Sequence, residues 1–197
     1  MILSRFIVLG WLLGVKVFAN EVQHPISDHG VQTSSDCHNA VSPSMPPSIT
    51  ALLTINQCIE LVDVLGDQAF YNSLPADFRD SLFSARQREV TPACVIRPLS
   101  SEDVSTAVKT ISKHNCHFAI KSGGHIMFEG ASNADGGITI DLVNLNVLEL
   151  SEDGATARVG PGNRWGKVFE FVEKRGRAIL GGRVSSVGVG GFLLGGK

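Results

Sequence analysis

Apolar and polar positions along this chain recur with a period that changes from segment to segment. The run Phe6 to Val15 is unbroken apolar sequence between Arg5 and Lys16. It falls well short of the roughly 20 residues that span a bilayer. Followed by Val17-Phe18-Ala19, it has the order of a cleavable export signal, read as residues 1–19. Residues 20–47 are rich in Ser, His, Asp and Pro, show no apolar period, and read as a disordered leader. A helical segment is predicted over 48–90. Its first helix is capped by Ser48 or Thr50 and carries Leu52, Leu53, Ile55, Ile59, Val62 and Leu65 as its apolar stripe. From Asp67 to Arg88 the pattern reads as short helices and turns, broken at Pro75.

From residue 91 to 197 the texture is that of a small α+β domain. Ala93 to Ile96 and His117 to Ile120 read as short strands. Between them Val104, Ala107, Val108 and Ile111 fall at helical spacing, behind Ser100 with Asp103 three residues on. This β-α-β unit predicts two parallel strands. Ile138 to Leu142, Val147 to Leu150 and Thr156 to Val159 read as further strands, and a helix over 164–174 carries Trp165, Val168, Phe169 and Val172. A last short strand, Ala178 to Leu180, leads into a glycine-rich stretch from Gly181 to Gly196. The result is two small subdomains, each ending in a glycine loop. The Gly188–Lys197 end, with no following strand, is expected to be poorly packed.

Composition changes this picture little. The chain is 43% apolar, carries 21 glycines, and has a formal net charge of −2 with the signs interspersed. It has no electrostatic footprint for nucleic acid or an anionic membrane, so a small-molecule substrate fits better. The four cysteines, Cys37, Cys58, Cys94 and Cys116, suggest disulfides in an exported chain, and spacing does not choose among the three pairings.

The chemistry gathers in the glycine loops. Ser122-Gly123-Gly124-His125 directly follows a strand, where glycines let backbone N–H groups converge on phosphate oxygens. Gly160-Pro161-Gly162 precedes a helix and imitates a dinucleotide turn, but lacks the acidic residue about 20 positions on. Gly191 to Lys197 spells the start of a P-loop without its Ser/Thr, and His114-Asn115-Cys116-His117 has the wrong spacing for structural zinc.

Together, Pro92 to Pro98, Phe118 to His125, Asn133, Gly137 to Leu142, Gly160 to Gly162 and Gly181 to Gly196 resemble the p-cresol-methylhydroxylase-type FAD-binding domain. The likeness is to fungal secreted oxidases similar to berberine bridge enzyme. The resemblance implies FAD held by Ser122, Gly123, Gly124, His125, Gly160, Gly162, Ser186, Gly188, Gly190 and Gly191. It also implies a covalent bond from His125 to the flavin 8α-methyl, within reach of a neutral imidazole. Many relatives add a second link through a cysteine, where this chain has Val184, so single attachment is expected. Ile126 stands where relatives carry a small polar residue. The resemblance further favours the disulfide Cys58–Cys116, leaving Cys37–Cys94. It implies a monomer, oxidation of an alcohol, sugar or secondary-metabolite C–H centre, and reoxidation by molecular oxygen. The catalytic base is expected beyond Lys197, the domain being truncated before its substrate domain. The alternative is a secreted, non-catalytic remnant that binds FAD weakly or not at all.

Overall fold

The computed structural model describes residues 47–114 and 116–195, with side chains from Thr54 onward. The export signal lies outside the described residues, as does the leader except for Pro47. That proline already opens helix α1, Pro47–Leu65, where its fixed φ suits the first turn, so Ser48 and Thr50 lie inside the helix. Strand β1 (Ala69–Tyr71) and a short helix α2 (Ala85–Glu89) follow, in the stretch read as short helices and turns. Then come β2 (Cys94–Ile96), α3 (Ser101–Lys113), β3 (Phe118–Lys121) and β4 (Ile138–Asp141).

The four strands form one sheet in the order β1-β2-β4-β3. β1 runs antiparallel to β2, while β2 and β3 both pair parallel with β4. The expected β-α-β strands are thus parallel but not neighbours. β4 takes the place between them because all four of its residues are buried, whereas β3 leaves Phe118 and Ile120 partly exposed at the edge. One face of the sheet packs Cys94, Ile96, Ile138 and Ile140 beneath α1 and α3. On the other, Val95 packs against Phe78 and Leu82.

α1 packs on the sheet through Cys58, Leu61 and Leu65, also buries Thr54 and Gln57, and leaves Ile59 exposed. The buried face is therefore turned from the stripe that hydrophobicity alone predicts. A disulfide fixes that turn. Cys58 bonds Cys94 with a Cα–Cα distance of 5.9 Å, not Cys116 as the resemblance implied, and this also excludes Cys37–Cys94. Cys94 sits on a central strand directly under α1, whereas Cys116 precedes the edge strand, two places along the sheet. Cys116 is itself disulfide-bonded.

α3 begins as its sequence predicts. The Ser100 hydroxyl accepts from Asp103 N–H at 3.1 Å, and the Asp103 carboxylate accepts from Ser100 N–H at 2.9 Å. Ser100→Ala is expected to cost about 1 kcal/mol. Urea unfolding of the purified protein would read this as a lower midpoint, and an unchanged midpoint would make the cap redundant.

The second unit is smaller. β5 (Leu148–Leu150) and β6 (Ala157–Val159) form an antiparallel pair. Helices α4 (Trp165–Glu173) and α5 (Val189–Leu194) complete it. Its core is Trp165, Val168 and Val189, with Leu148, Val159, Phe169, Ile179 and Val187 around them. Two expectations are corrected here. Ala178 to Leu180 joins no strand ladder among the described residues; Leu180 is almost wholly exposed, and the chain instead lays Gly181 and Gly182 against the Trp165 indole. The final glycine stretch, expected to be poorly packed from Gly188, is packed at its start, where Val189 is buried and Phe192 meets Trp165 edge-on at 5.4 Å, and is exposed from Gly191 to Gly195.

Candidate functional site

β3 delivers the first glycine loop. Its last residue, Lys121, is buried and pairs with Asp141 on β4 at 2.8 Å. The other Asp141 oxygen accepts from Arg97 Nε at 3.1 Å, and Arg97 in turn holds Asp77 through two bonds of 2.9 and 3.0 Å. Hydrogen bonding from Arg97 keeps the Asp77 carboxyl below the usual carboxylate range. Because the folded-state value is lowered, this link persists at neutral pH and weakens only as acid approaches that lowered value. The network roots the loop: its basic residue is spent on the scaffold and does not reach out to a ligand.

Beyond Lys121 the backbone turns sharply, with Gly124 at φ 63°. A Cβ there would crowd the Ser81 carbonyl at 3.2 Å and Leu82 at 3.3 Å. Gly123 meets Gly188 of the second loop backbone to backbone; a Cβ on either would lie inside the other's main chain. The two expected loops are therefore joined at this point. Other ties cross the same junction. Ser122 Oγ donates to Pro161 O at 2.5 Å, and Arg164 Nη2 donates to Gly123 O at 3.0 Å. Arg164 and Gly188 also form an isolated antiparallel bridge.

Between the loops lies a cleft of about 490 Å³, within the usual range for small-molecule sites. Ser122, Gly123, Gly124, His125, Gly188, Gly190 and Gly191 line it, along with Ile126 and Ser132. Ser186 is placed on His125, its hydroxyl 3.0 Å from Nε2. That leaves Nδ1 as the imidazole nitrogen without a hydrogen-bond partner among the described residues. Gly160 and Gly162 are used differently. They press against the carbonyls of Leu145 and Leu142, where any Cβ would collide, so their smallness serves packing, and Pro161 between them is the residue that reaches the cleft. Val184 starts the turn into Ser186, half exposed and without a thiol.

The sequence reading missed Ser132, Phe83 and Arg164. Ser132 Oγ is buried on the cleft wall with no hydrogen-bond partner among the described residues. Phe83 stacks on the His125 imidazole with centroids 4.0 Å apart. Ser132 and Phe83 belong to no motif, Arg164 stands in the turn after Gly160-Pro161-Gly162, and only the folded chain brings all three to the loop.

A model of the FAD binding domain matches residues 92–197, and the chain belongs to this family. It is 35% identical over 191 residues to the FAD-dependent monooxygenase tpcD of Cochliobolus heterostrophus, covering 95% of this chain and 34% of that protein. Among solved structures, a chitooligosaccharide oxidase superposes with a TM-score of 0.58 at 28% identity, over 70% of this chain and 29% of that one. The glucooligosaccharide oxidase of Acremonium strictum, described with a 6-S-cysteinyl, 8α-N1-histidyl FAD, gives a TM-score of 0.57 at 26% identity, over 72% of this chain and 30% of that one. The fold is thus the p-cresol-methylhydroxylase-type FAD-binding fold, and the chain spans about a third of the length of these relatives.

The residues present fit FAD. The N–H groups of Gly123, Gly124 and His125 donate to no acceptor among the described residues, and the Ser132 hydroxyl is likewise unpaired. Apart from His125, no ionisable side chain among the described residues lines the cleft. Such a wall binds phosphate oxygens through backbone donors and gives a flavin ring an apolar surface.

Proposed function

We propose that this chain supplies the cofactor platform of a secreted, monomeric FAD-dependent oxidase, with His125 bonded through Nδ1 to the 8α carbon of the flavin. The observation that carries the reading is the meeting of Gly123 with Gly188. It sets His125 at the cleft between two glycine loops, with one nitrogen on Ser186 and the other open. When bound, FAD accepts a hydride from the substrate and is reoxidised by molecular oxygen.

The chain's own residues bind and orient. Backbone donors of the first loop and the Ser132 hydroxyl take the pyrophosphate, and Gly190 and Gly191 give close approach from the second loop. Substrates are small molecules, an alcohol, a sugar or a secondary-metabolite C–H centre, in keeping with relatives named as monooxygenases and oligosaccharide oxidases. Apart from His125, which the flavin bond would engage, no described residue lining the cleft has the chemistry of the base. We place that base beyond Lys197, in the part of the relatives' length that this chain does not span. Among the described residues no helix is long and apolar enough to cross a membrane.

The test is flavin retention. Acid-precipitated full-length gene product is expected to stay yellow, and His125→Ala is expected to release all of its flavin to the supernatant. Flavin left on the precipitated variant would overturn the role of His125. A single flavinylated peptide is expected in a digest, since Val184 offers no thiol.

A further inference from the structure

His125 is not held by its own loop alone. Phe83, from the segment between β1 and α2, lies over the imidazole with ring planes only 14° from parallel. The backbones of the two segments are tied as well. Phe83 N–H donates to Gly124 O at 2.9 Å, and Ser84 Oγ donates to Met127 O at 3.3 Å. Arg164 Nη2 bridges Ser81 O and Gly123 O at 2.6 and 3.0 Å. Residues 81–84 thus run beside the first glycine loop, and Phe83 is the member of that segment whose ring meets the histidine.

Ordinary core packing does not account for this ring. Phe83 is 52% exposed and belongs to none of the hydrophobic clusters, unlike its neighbours Phe78 and Leu82. It also precedes the stretch, 92–197, that the family model matches. A near-parallel ring at this distance covers one face of the imidazole and resists its rotation about the Cβ–Cγ bond. The Ser186 contact resists the same rotation from the ring edge.

We propose that Phe83 is a positioning residue for flavin attachment. It fixes the plane of the His125 imidazole so that, with Nε2–H donating to Ser186, the Nδ1 lone pair faces the flavin edge. The proposal rests on the reading that His125 bonds the flavin. In that step Nδ1 joins the 8α carbon and one methyl C–H bond breaks. The methyl hydrogen and the imidazole hydrogen leave as protons, and the two electrons pass through the isoalloxazine to dioxygen, giving hydrogen peroxide. Holding a nucleophile in its reactive plane speeds such a step without being consumed in it.

The experiment uses the full-length gene product, made flavin-free in a riboflavin-starved host and then mixed with FAD in air. Non-covalent binding is read by quenching of flavin fluorescence, and attachment by the flavin that stays with acid-precipitated protein over time. Phe83→Ala is expected to slow attachment at saturating FAD on the order of ten-fold, the rate equivalent of one lost aromatic pair. Its FAD affinity should stay within about two-fold of the parent, a change too small to count against one lost pair. Phe83→Tyr should restore the rate, and Phe83→Leu, similar in bulk but unable to stack, should not. Attachment by Phe83→Ala at the parental rate would overturn the proposal. So would full rescue by leucine, or a loss of non-covalent binding that accounts for the slowing. Should the alanine variant fail to fold, the tyrosine–leucine comparison decides alone, with equal rates counting against. Parent protein whose FAD is entirely extractable would remove the covalent reading itself, an outcome distinct from all of these.

Discussion

Replacing Asp141 with alanine is expected to destabilise the protein by roughly 3–5 kcal/mol, which is the usual cost of leaving a buried charge without its partner. Lys121 is 2% exposed and Asp141 is fully buried, so water cannot take over the lost bond. Arg97 would lose its Nε partner in the same substitution, though it keeps Asp77. For a domain of this size the loss corresponds to a fall in melting temperature of roughly 10 °C or more. Differential scanning calorimetry of the parent, Asp141→Ala and the double variant Lys121→Met/Asp141→Leu separates the contributions. The double variant should recover much of the loss, because an apolar pair leaves no unpaired charge. A single variant within about 1 kcal/mol of the parent, the range of an exposed pair, would show that the pair is hydrated and unimportant to the fold.

A second large effect is expected at the loop junction. Gly123→Ala or Gly188→Ala places a methyl group inside the opposing main chain, where no side-chain rotation can relieve it. The loops must part, and FAD affinity should fall at least about a hundred-fold, the scale on which displacements near 1 Å act in preorganised sites. Glu152→Ala is the control, because that side chain is exposed between β5 and β6 and lies outside the cleft lining. Isothermal titration with FAD, alongside far-ultraviolet circular dichroism to confirm folding, reads the contrast. Parental affinity in Gly123→Ala would mean that the two loops do not jointly form the site.

Much of the site was legible because its signals are local. The glycine loop after β3, the Ser100–Asp103 cap and the stripe of Trp165, Val168 and Val172 each depend on residues close in sequence, and each is found in place. What could not be read depends on topology. Nothing in the three residues of β1 alternates long enough to announce a strand. The position of β4 between β2 and β3 depends on relative burial, which no single segment reveals. The disulfide pairing differs from the one the resemblance implied, and spacing left it open, because pairing follows which face of α1 meets the sheet. Glycines were the other ambiguity. Gly188 and Gly190 against the first loop, Gly162 against a carbonyl and Gly181 against an indole share one letter, and only the neighbour tells a cofactor wall from a packing contact.

The bond between Cys58 and Cys94 also bears on where this protein can be made. It closes 36 residues of sequence, and by chain entropy such a closure is worth about 3–4 kcal/mol. Set against the roughly 5–15 kcal/mol that ordinarily holds a domain together, that is a substantial share of the total. In a glutathione-buffered cytosol the thiols would stay reduced, and α1 would rest on the sheet by packing alone. Recombinant material from such a host should then collect as inclusion bodies or as a proteolysed core lacking its first helix. An oxidising route, through a periplasm or a fungal secretory pathway, would let the helix lock before proteases reach it. For this chain the redox state of the expression compartment is a folding condition, as consequential as temperature.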